Sequence, residues 1–388
     1  MSLTEVRSTG PRAPTDMPTR VPFLDLTAVT EAVRAQVEAR WSEVLRSAAF
    51  IGGAAVEAFE RELAAYCGTA EAVGMANGTD ALHLTLRALD IGPGDTVVVP
   101  ANTFVATVEA IVLAGAAPRF ADVDPETLLL TPETVAAAVL PSTKAVIAVH
   151  LYGQMPDMVA LSACADALGL LLVEDAAQAQ GATYAGRRAG AYAVAGCFSF
   201  YPGKNLGAFG DAGAVVTSDP RLAATLRSMR DHGRALGTHY EHVVLGTNSR
   251  LDALQAVVLR AKLAHLDEWN ASRVGLMAQY RDRLDPGRAR LVADQPGGQG
   301  VHHLAVARVA DRERVRSELD ARGIGTGVHY PVPCHVMPPY RDYADGPLPA
   351  AEQAATEVLS LPMYPHLEPA ALLRVVAAVN EVAGRLPR

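Results

Sequence analysis

From about Ala72 to Ser218 the chain alternates short apolar runs, each closed by Gly, Pro or Asp, with Ala- and Leu-rich amphipathic stretches. Runs of this length bounded by breakers predict buried strands. Their alternation with helices predicts a mostly parallel sheet covered by helices on both faces. The predicted strands are 72–75, 96–99, 145–149 and 170–173, with 197–200 and 214–217 adding two more. Leu82, Leu86 and Leu89 repeat at i, i+4, i+7 on a helix that begins near Thr79, and Phe59, Leu63 and Tyr66 repeat the spacing before the sheet. Residues 249 to about 284 read as one long helical stretch with Leu251, Leu254, Val258 and Leu263 facing inward and a break near Asn270. Beyond it the pattern is a smaller α+β unit: a strand over 303–309, a helix over 311–322, a Pro-rich turn over 329–339 and a last helix from about Glu368. The predicted fold class is therefore α/β, with a large domain over 21–268, a small C-terminal α+β domain over 269–388 and a polar, Pro/Thr-rich tail over 1–20.

A length of 388 residues agrees with two or three units at a prior of about 150 residues each. With 50% hydrophobic and 20% charged residues the chain can build a sizeable core. The net charge of -8 lacks the basic stripe that nucleic-acid binding requires, so nucleic acid is not an expected partner. No apolar run approaches the ~20 residues of a membrane span, and the N-terminal stretch has no apolar signal core. Cys67, Cys164, Cys197 and Cys334 are far apart, and His302-His303 lacks metal-ligand spacing, so neither disulfides nor a metal are expected. These features describe a cytoplasmic enzyme.

Of the 34 Lys and Arg residues only Lys144, Lys204 and Lys262 are lysines. Where a solvated cation suffices this chain uses Arg, so each Lys raises the question of what an amine does there that a guanidinium cannot. An amine can lose its proton and form an imine. Lys204 sits in Ser199-Phe200-Tyr201-Pro202-Gly203-Lys204-Asn205-Leu206-Gly207, a strand running into a Gly-rich turn that is not a P-loop. A solvated surface turn is the plainer reading of that segment alone.

Leu170-Leu171-Leu172-Val173-Glu174-Asp175 delivers two carboxylates at a strand's C-terminal end, where ligands of α/β sheets bind. Alternation points them to opposite faces, which leaves one of them free to be solvated, and Asp175 is equally readable as a helix cap. Asn77-Gly78-Thr79 opens a helix whose free N–H groups attract an anion, with Thr79 also readable as an ordinary cap. Together, an anion cradle, a strand-end carboxylate and a lysine in a later Gly-rich turn are the fixtures that pyridoxal 5'-phosphate (PLP) requires. The cradle anchors the phosphate, Lys204 holds the aldehyde and Asp175 keeps the pyridine nitrogen protonated. A lysine of ordinary pKa, ~10.4, is a poor nucleophile, so the site must favour its neutral form.

These residues resemble the DegT/StrS-type nucleotide-sugar aminotransferases, a branch of the aspartate-aminotransferase-like PLP fold. The resemblance covers nearly the whole chain. Its carriers are Val21-Pro22-Phe23-Leu24-Asp25-Leu26, Asn77-Gly78-Thr79-Asp80-Ala81-Leu82, residues 100–107, His150-Leu151-Tyr152-Gly153-Gln154, Glu174-Asp175-Ala176-Ala177-Gln178, residues 198–207, Asn248-Ser249-Arg250-Leu251-Asp252 and His329-Tyr330-Pro331.

The resemblance implies that Lys204 is the Schiff-base lysine, Asp175 the partner of the pyridine nitrogen, and Gln178 the neighbour of the ring's phenolic oxygen. It implies that Phe104, otherwise a core residue, stacks on the ring, and that Gly78, Thr79 and Ser199 hold the phosphate. Asn248 is implied to reach the phosphate of a neighbouring subunit, making the active unit a homodimer. His329 and Tyr330 are implied to lie on the sugar-nucleotide side, although a Pro-rich turn with a structural His reads as well.

Where dehydratase relatives carry His, this chain has Lys204, which implies amino transfer from L-glutamate to a keto-sugar nucleotide. The wording is most similar to 3-aminotransferases of dTDP-3-keto-6-deoxyhexoses in deoxysugar and antibiotic pathways. The alternatives are 4-amination or a PLP-binding regulatory relative without turnover. A nicotinamide-dependent dehydrogenase lacks its G-x-G-x-x-G turn. Two departures, Gln180 where His is frequent and Ala212 where Gly is frequent, leave substrate placement and proton handling open, since Gln does not titrate near neutrality.

Overall fold

The computed structural model describes residues 20–235 and 237–386. The expected tail over 1–20 lies outside them apart from Arg20. Strands β1 (Glu71–Met75), β2 (Thr96–Pro100), β3 (Ala117–Ala121), β4 (Thr143–Val149) and β5 (Leu171–Asp175) alternate with helices and enter one sheet. Two short strands, β6 (Thr183–Tyr184) and β7 (Arg187–Arg188), precede β8 (Ala195–Ser199) and β9 (Gly213–Thr217), which complete a seven-stranded sheet of order β1-β9-β8-β5-β4-β2-β3.

The strands are nearly continuous apolar runs because both faces are covered. Val73, Val97, Val99, Ile147, Val173, Cys197 and Val215 pack into one core. Their alternate neighbours Ala72, Val98, Val146, Leu172, Phe198 and Val216 pack into the other.

Pairing is parallel from β3 through β2, β4 and β5 to β8, but β9 is antiparallel to both β8 and β1. Periodicity carries no strand direction. The reason lies in the connection: no helix separates β8 from β9, and a parallel return needs a crossover, usually a helix. The segment that takes its place is the turn bearing Lys204. Strand β3, not foreseen because Pro118 interrupts it, lies at the sheet edge, where a missing N–H is tolerated.

Helices α1 (Thr27–Ser47) and α2 (Ala54–Cys67) precede the sheet. Helices α3 (Gly78–Ala88), α4 (Val105–Leu113), α5 (Pro132–Ala138), α6 (Met158–Leu168) and α7 (Pro220–Met229) lie between or after its strands. The single helical stretch expected over 249–284 is two helices, α8 (Ala253–Leu263) and α9 (Leu266–Arg283). They break at 264–265 and not at Asn270. No Gly or Pro marks the break. It redirects the chain from α1 and α2, against which α8 packs, toward a third core holding Leu276, Met277 and Tyr280.

That core lies under a second, antiparallel sheet of β10 (Ala289–Leu291), β12 (Ala305–Val309) and β13 (Val358–Leu361). It is covered by α9, α10 (Arg312–Ala321) and α12 (Pro369–Val382), with α11 (Pro349–Glu357) leading into β13. Strand β11 (Gly298–Gln299) pairs with β6 in a small third sheet. Val21 also packs in the third core, its N–H bonded to Gly323 O at 2.9 Å.

Candidate active site

The parallel strands β4, β5 and β8 end on one side of the sheet, the side on which a ligand crevice forms, and the residues singled out by sequence, Asn248 excepted, collect there. Asp175, the last residue of β5, is 6% exposed. Its Oδ2 accepts a hydrogen bond from Thr107 Oγ1 at 2.7 Å and its Oδ1 one from Ala177 N at 3.1 Å. Asp175 therefore caps a turn locally, yet it keeps acceptor capacity toward the crevice.

Lys204 lies in the turn after β8, held by Lys204 N→Tyr201 O at 2.8 Å. Burial lowers its pKa from 10.5 to about 8, and the Asp175 charge acts against that fall. At pH 7 roughly a tenth of the amine is then neutral, and it lies close enough to Asp175 to feel that charge.

Glu174, one residue earlier, is not solvated. It is fully buried on the opposite face, where the backbone N–H groups of Gly190, Tyr192 and Ala193 donate to it at 2.7, 2.8 and 2.9 Å and His150 Nε2 stands 2.8 Å away.

The helix expected to begin near Thr79 starts at Gly78, and its cap is Asn77, whose Oδ1 accepts Asp80 N at 2.8 Å. Thr79 is therefore not the cap. The N–H groups of Gly78 and Thr79, without intrahelical acceptors at this position, remain available to an anion. A Cβ on Gly78 would stand 2.7 Å from Ser199 Cβ. Glycine is thus required for the approach that joins helix start and strand end into one cradle.

Gln178 Oε1 accepts Tyr152 N at 2.6 Å, and its Nε2 donates to Tyr330 OH at 3.0 Å. Burial pushes the Tyr330 phenol pKa up, keeping the hydroxyl protonated. Phe104 is 51% exposed, so it is no core residue, and its ring lies 5.6 Å from that of Tyr330. His329 Nδ1 is 2.8 Å from Ser360 Oγ and its ring stacks on Phe23. Burial, reinforced by the Lys204 charge, lowers its pKa to about 4. Asn248 stands apart, exposed in the segment after α7 that also presents Tyr240, Val243 and Leu245.

Residues 31–380 match the DegT/DnrJ/EryC1/StrS aminotransferase family. The chain belongs to that family. It is 50% identical over 371 residues, 95% of this chain and 97% of the other, to the dTDP-3-amino-3,4,6-trideoxy-alpha-D-glucose transaminase of Streptomyces venezuelae. The solved structure of S. venezuelae DesV superposes with a TM-score of 0.91 at 50% identity, covering 95% of this chain and 100% of that one. The erythromycin biosynthesis sensory transduction protein EryC1 of Saccharopolyspora erythraea is 47% identical over 93% of this chain and 99% of its own length.

As a member of this family of PLP-type aminotransferases the chain uses PLP, and the cavity residues fit that group. The Gly78–Ser199 approach makes an anion cradle that a side chain would fill, Lys204 supplies an amine of lowered pKa, and Asp175 a strand-end carboxylate. When bound, the cofactor supplies an electron sink for the carbon that loses or gains a proton.

Several site residues escaped the sequence reading. Thr107, bonded to Thr103 at 2.7 Å and to Asp175, has a signal only in its i, i+4 spacing at a helix start. A buried polar chain ties the cofactor-side turns together: Gln180 Nε2 donates to Ala177 O and Ser199 O at 3.1 and 2.7 Å, Asn270 Nδ2 to Gln180 O at 2.9 Å, and Asn205 Nδ2 to Asn270 Oδ1 at 2.9 Å. His303 Nδ1 closes that chain 3.1 Å from Asn205 Oδ1. Gln180 thus braces Ser199 from behind. Ala212 is buried, its carbonyl accepting Phe200 N at 2.8 Å.

Proposed function

We propose that this chain transfers the amino group of L-glutamate to the 3-position of a dTDP-3-keto-6-deoxyhexose, giving a dTDP-3-amino-3,6-dideoxyhexose for deoxysugar and antibiotic biosynthesis. The observation that carries the reading is the convergence, at one end of the sheet, of the Gly78–Ser199 cradle, the Asp175 carboxylate that ends β5 and the Lys204 turn after β8, with the Asp175 charge acting on the Lys204 amine. The dTDP-bound 3-amino sugar is supported by the names of the 50% identical S. venezuelae transaminase, of a 3,4,6-trideoxy sugar, and of the 41% identical Aneurinibacillus thermoaerophilus transaminase, of a 3,6-dideoxy one.

In this reading Lys204 tethers the cofactor and, once displaced, moves the proton at the reacting carbon. Asp175 faces the ring nitrogen, oriented by Thr107 and Ala177 N. Gln178 lies beside the phenolic oxygen, Phe104 stacks on the ring, and Gly78, Thr79 and Ser199 bind the phosphate. Asn248 reaches the phosphate of a second subunit in a homodimer, and the exposed apolar residues Tyr240, Val243 and Leu245 beside it support such an interface. His329 and Tyr330 contact the sugar nucleotide. With a pKa of about 4 His329 is neutral at physiological pH and offers hydrogen bonds, not charge. The large domain spans 21–268 and the small one 269–388. The reading includes a cytoplasmic location; among the described residues no helix is long and apolar enough to cross a membrane.

Purified protein with PLP absorbs in the visible, and Lys204→Ala removes both that band and turnover. A colourless wild type, or a Lys204→Ala variant that keeps the band, overturns the reading. A panel of dTDP-3-keto and dTDP-4-keto sugars with glutamate, read by NMR, locates the new amine. The name of the 47% identical EryC1, a sensory transduction protein, favours a second reading, a PLP-binding regulator. Cofactor binding without amino transfer to any sugar of the panel would support it.

A further inference from the structure

Of the three lysines, Lys144 is exposed on β4 and Lys204 belongs to the site. Lys262, in the last turn of α8, is 3% exposed and forms no ion pair among the described residues. Its Nζ donates to Gly207 O at 2.7 Å and lies 4.6 Å from the centre of the Phe209 ring. Gly207 ends the turn that carries Lys204. The turn doubles back on itself through Lys204 N→Tyr201 O and Ala208 N→Phe200 O, both 2.8 Å, so closely that a Cβ on Gly207 would overlap the Pro202 carbonyl.

Gln255, seven residues before Lys262 and on the same face of α8, accepts Phe209 N at 2.9 Å. Two side chains of one helix thus hold the far end of the turn. Lys204, Asn205, Gly207, Lys262 and Arg273 line a common cavity of about 10 Å³, room for no more than one water. The lone acceptor explains why Arg does not serve here: a guanidinium would bury five N–H donors against a single carbonyl and a ring.

We propose that Lys262 is a positioning residue for Lys204: its hydrogen bond to Gly207 O clamps the 201–207 turn to α8 and fixes where the Lys204 amine stands relative to Asp175. This rests on Lys204 being the cofactor-holding lysine.

The test compares Lys262→Met with Phe209→Leu, which removes the ring contact and leaves the hydrogen bond. Losing the clamp from a buried carbonyl weakens PLP affinity of the apoprotein, followed by fluorescence, and kcat, each by about tenfold. KM for the sugar nucleotide stays the same. Labelling of Lys204 in the apoprotein by an amine-selective reagent, quantified by mass spectrometry, changes in Lys262→Met and not in Phe209→Leu. A folded Lys262→Met with wild-type PLP affinity, labelling and kcat overturns the proposal, as does a Phe209→Leu variant that reproduces every change. Should Lys262→Met not fold, Lys262→Gln, whose shorter amide stops short of Gly207, decides by the same measurements, and wild-type values there overturn the proposal. If instead Lys204→Ala keeps the visible band, it is the assignment of Lys204 that has failed and not the clamp.

Discussion

Two carboxylates stand side by side at the end of β5 and face opposite sides of the sheet. Glu174 is saturated: three backbone N–H groups and the His150 ring surround it, and no solvent reaches it. Asp175 has one hydroxyl and one N–H donor, which leaves acceptor capacity unfilled, and its charge acts on Lys204. A carboxylate whose acceptor sites are all filled by its own fold organises structure. One left partly unfilled, with an amine of lowered pKa close enough to feel its charge, is available to a ligand. Burial alone does not separate the two, since both are buried.

The largest test of this contrast is Asp175→Asn, which keeps shape and removes the anion: kcat for amino transfer falls by about 10²–10³-fold, measured by coupled glutamate turnover, with little loss of stability. Glu174→Gln should do the reverse. It sets an amide NH2 against groups that are themselves donors and destabilises the apoprotein by about 2–4 kcal/mol in urea unfolding, with the cofactor band of the folded fraction unchanged. Smaller again is Thr107→Val, which deletes one hydrogen bond to Asp175 and lowers kcat by about tenfold, with a displaced pH dependence of the cofactor band.

The smallest effect is a pH shift. With the Lys204 pKa at about 8 instead of 10.5, its neutral fraction at pH 7 is roughly 300-fold larger. PLP uptake by the apoprotein therefore rises with pH through a midpoint near 8. Asp175 holds that midpoint up, so Asp175→Asn moves it to lower pH and Glu174→Gln leaves it in place. The linked stability has a fixed sign. The folded pKa lies below the unfolded one, so burying the charged amine costs stability below about pH 8, and the cost is relieved as pH rises from there toward 10.5. Apo Lys204→Met should thus exceed wild type in stability at pH 7, by a margin that shrinks across that window.

Most of the sheet was legible because a strand covered on both faces must be apolar at every position, as 97–99, 145–149 and 172–173 are. Strand β3 and the direction of β9 were not: Pro118 masks the first, and direction depends on the connection. At the site, Lys204 stood out against a background of arginine, and Asp175 stood at a strand end. Thr107 carried no comparable mark, and although Lys262 was as rare a lysine as Lys204 and Gln180 stood out as a departure, what they and Asn270 hold was not legible, because each of the four acts on a partner 19 to 90 residues away.

By itself the sequence determined which groups meet the chemistry. An imine-forming amine, a strand-end anion and a helix start with free N–H groups are properties of residue type and local order. The tertiary structure decided which carboxylate is saturated, which lysine is held by which carbonyl, and that Asn77, not Thr79, caps the cradle. Those outcomes depend on where distant N–H and C=O groups come to rest when two cores close around one sheet, and hydrogen-bond partners brought together across the chain leave no periodicity to read.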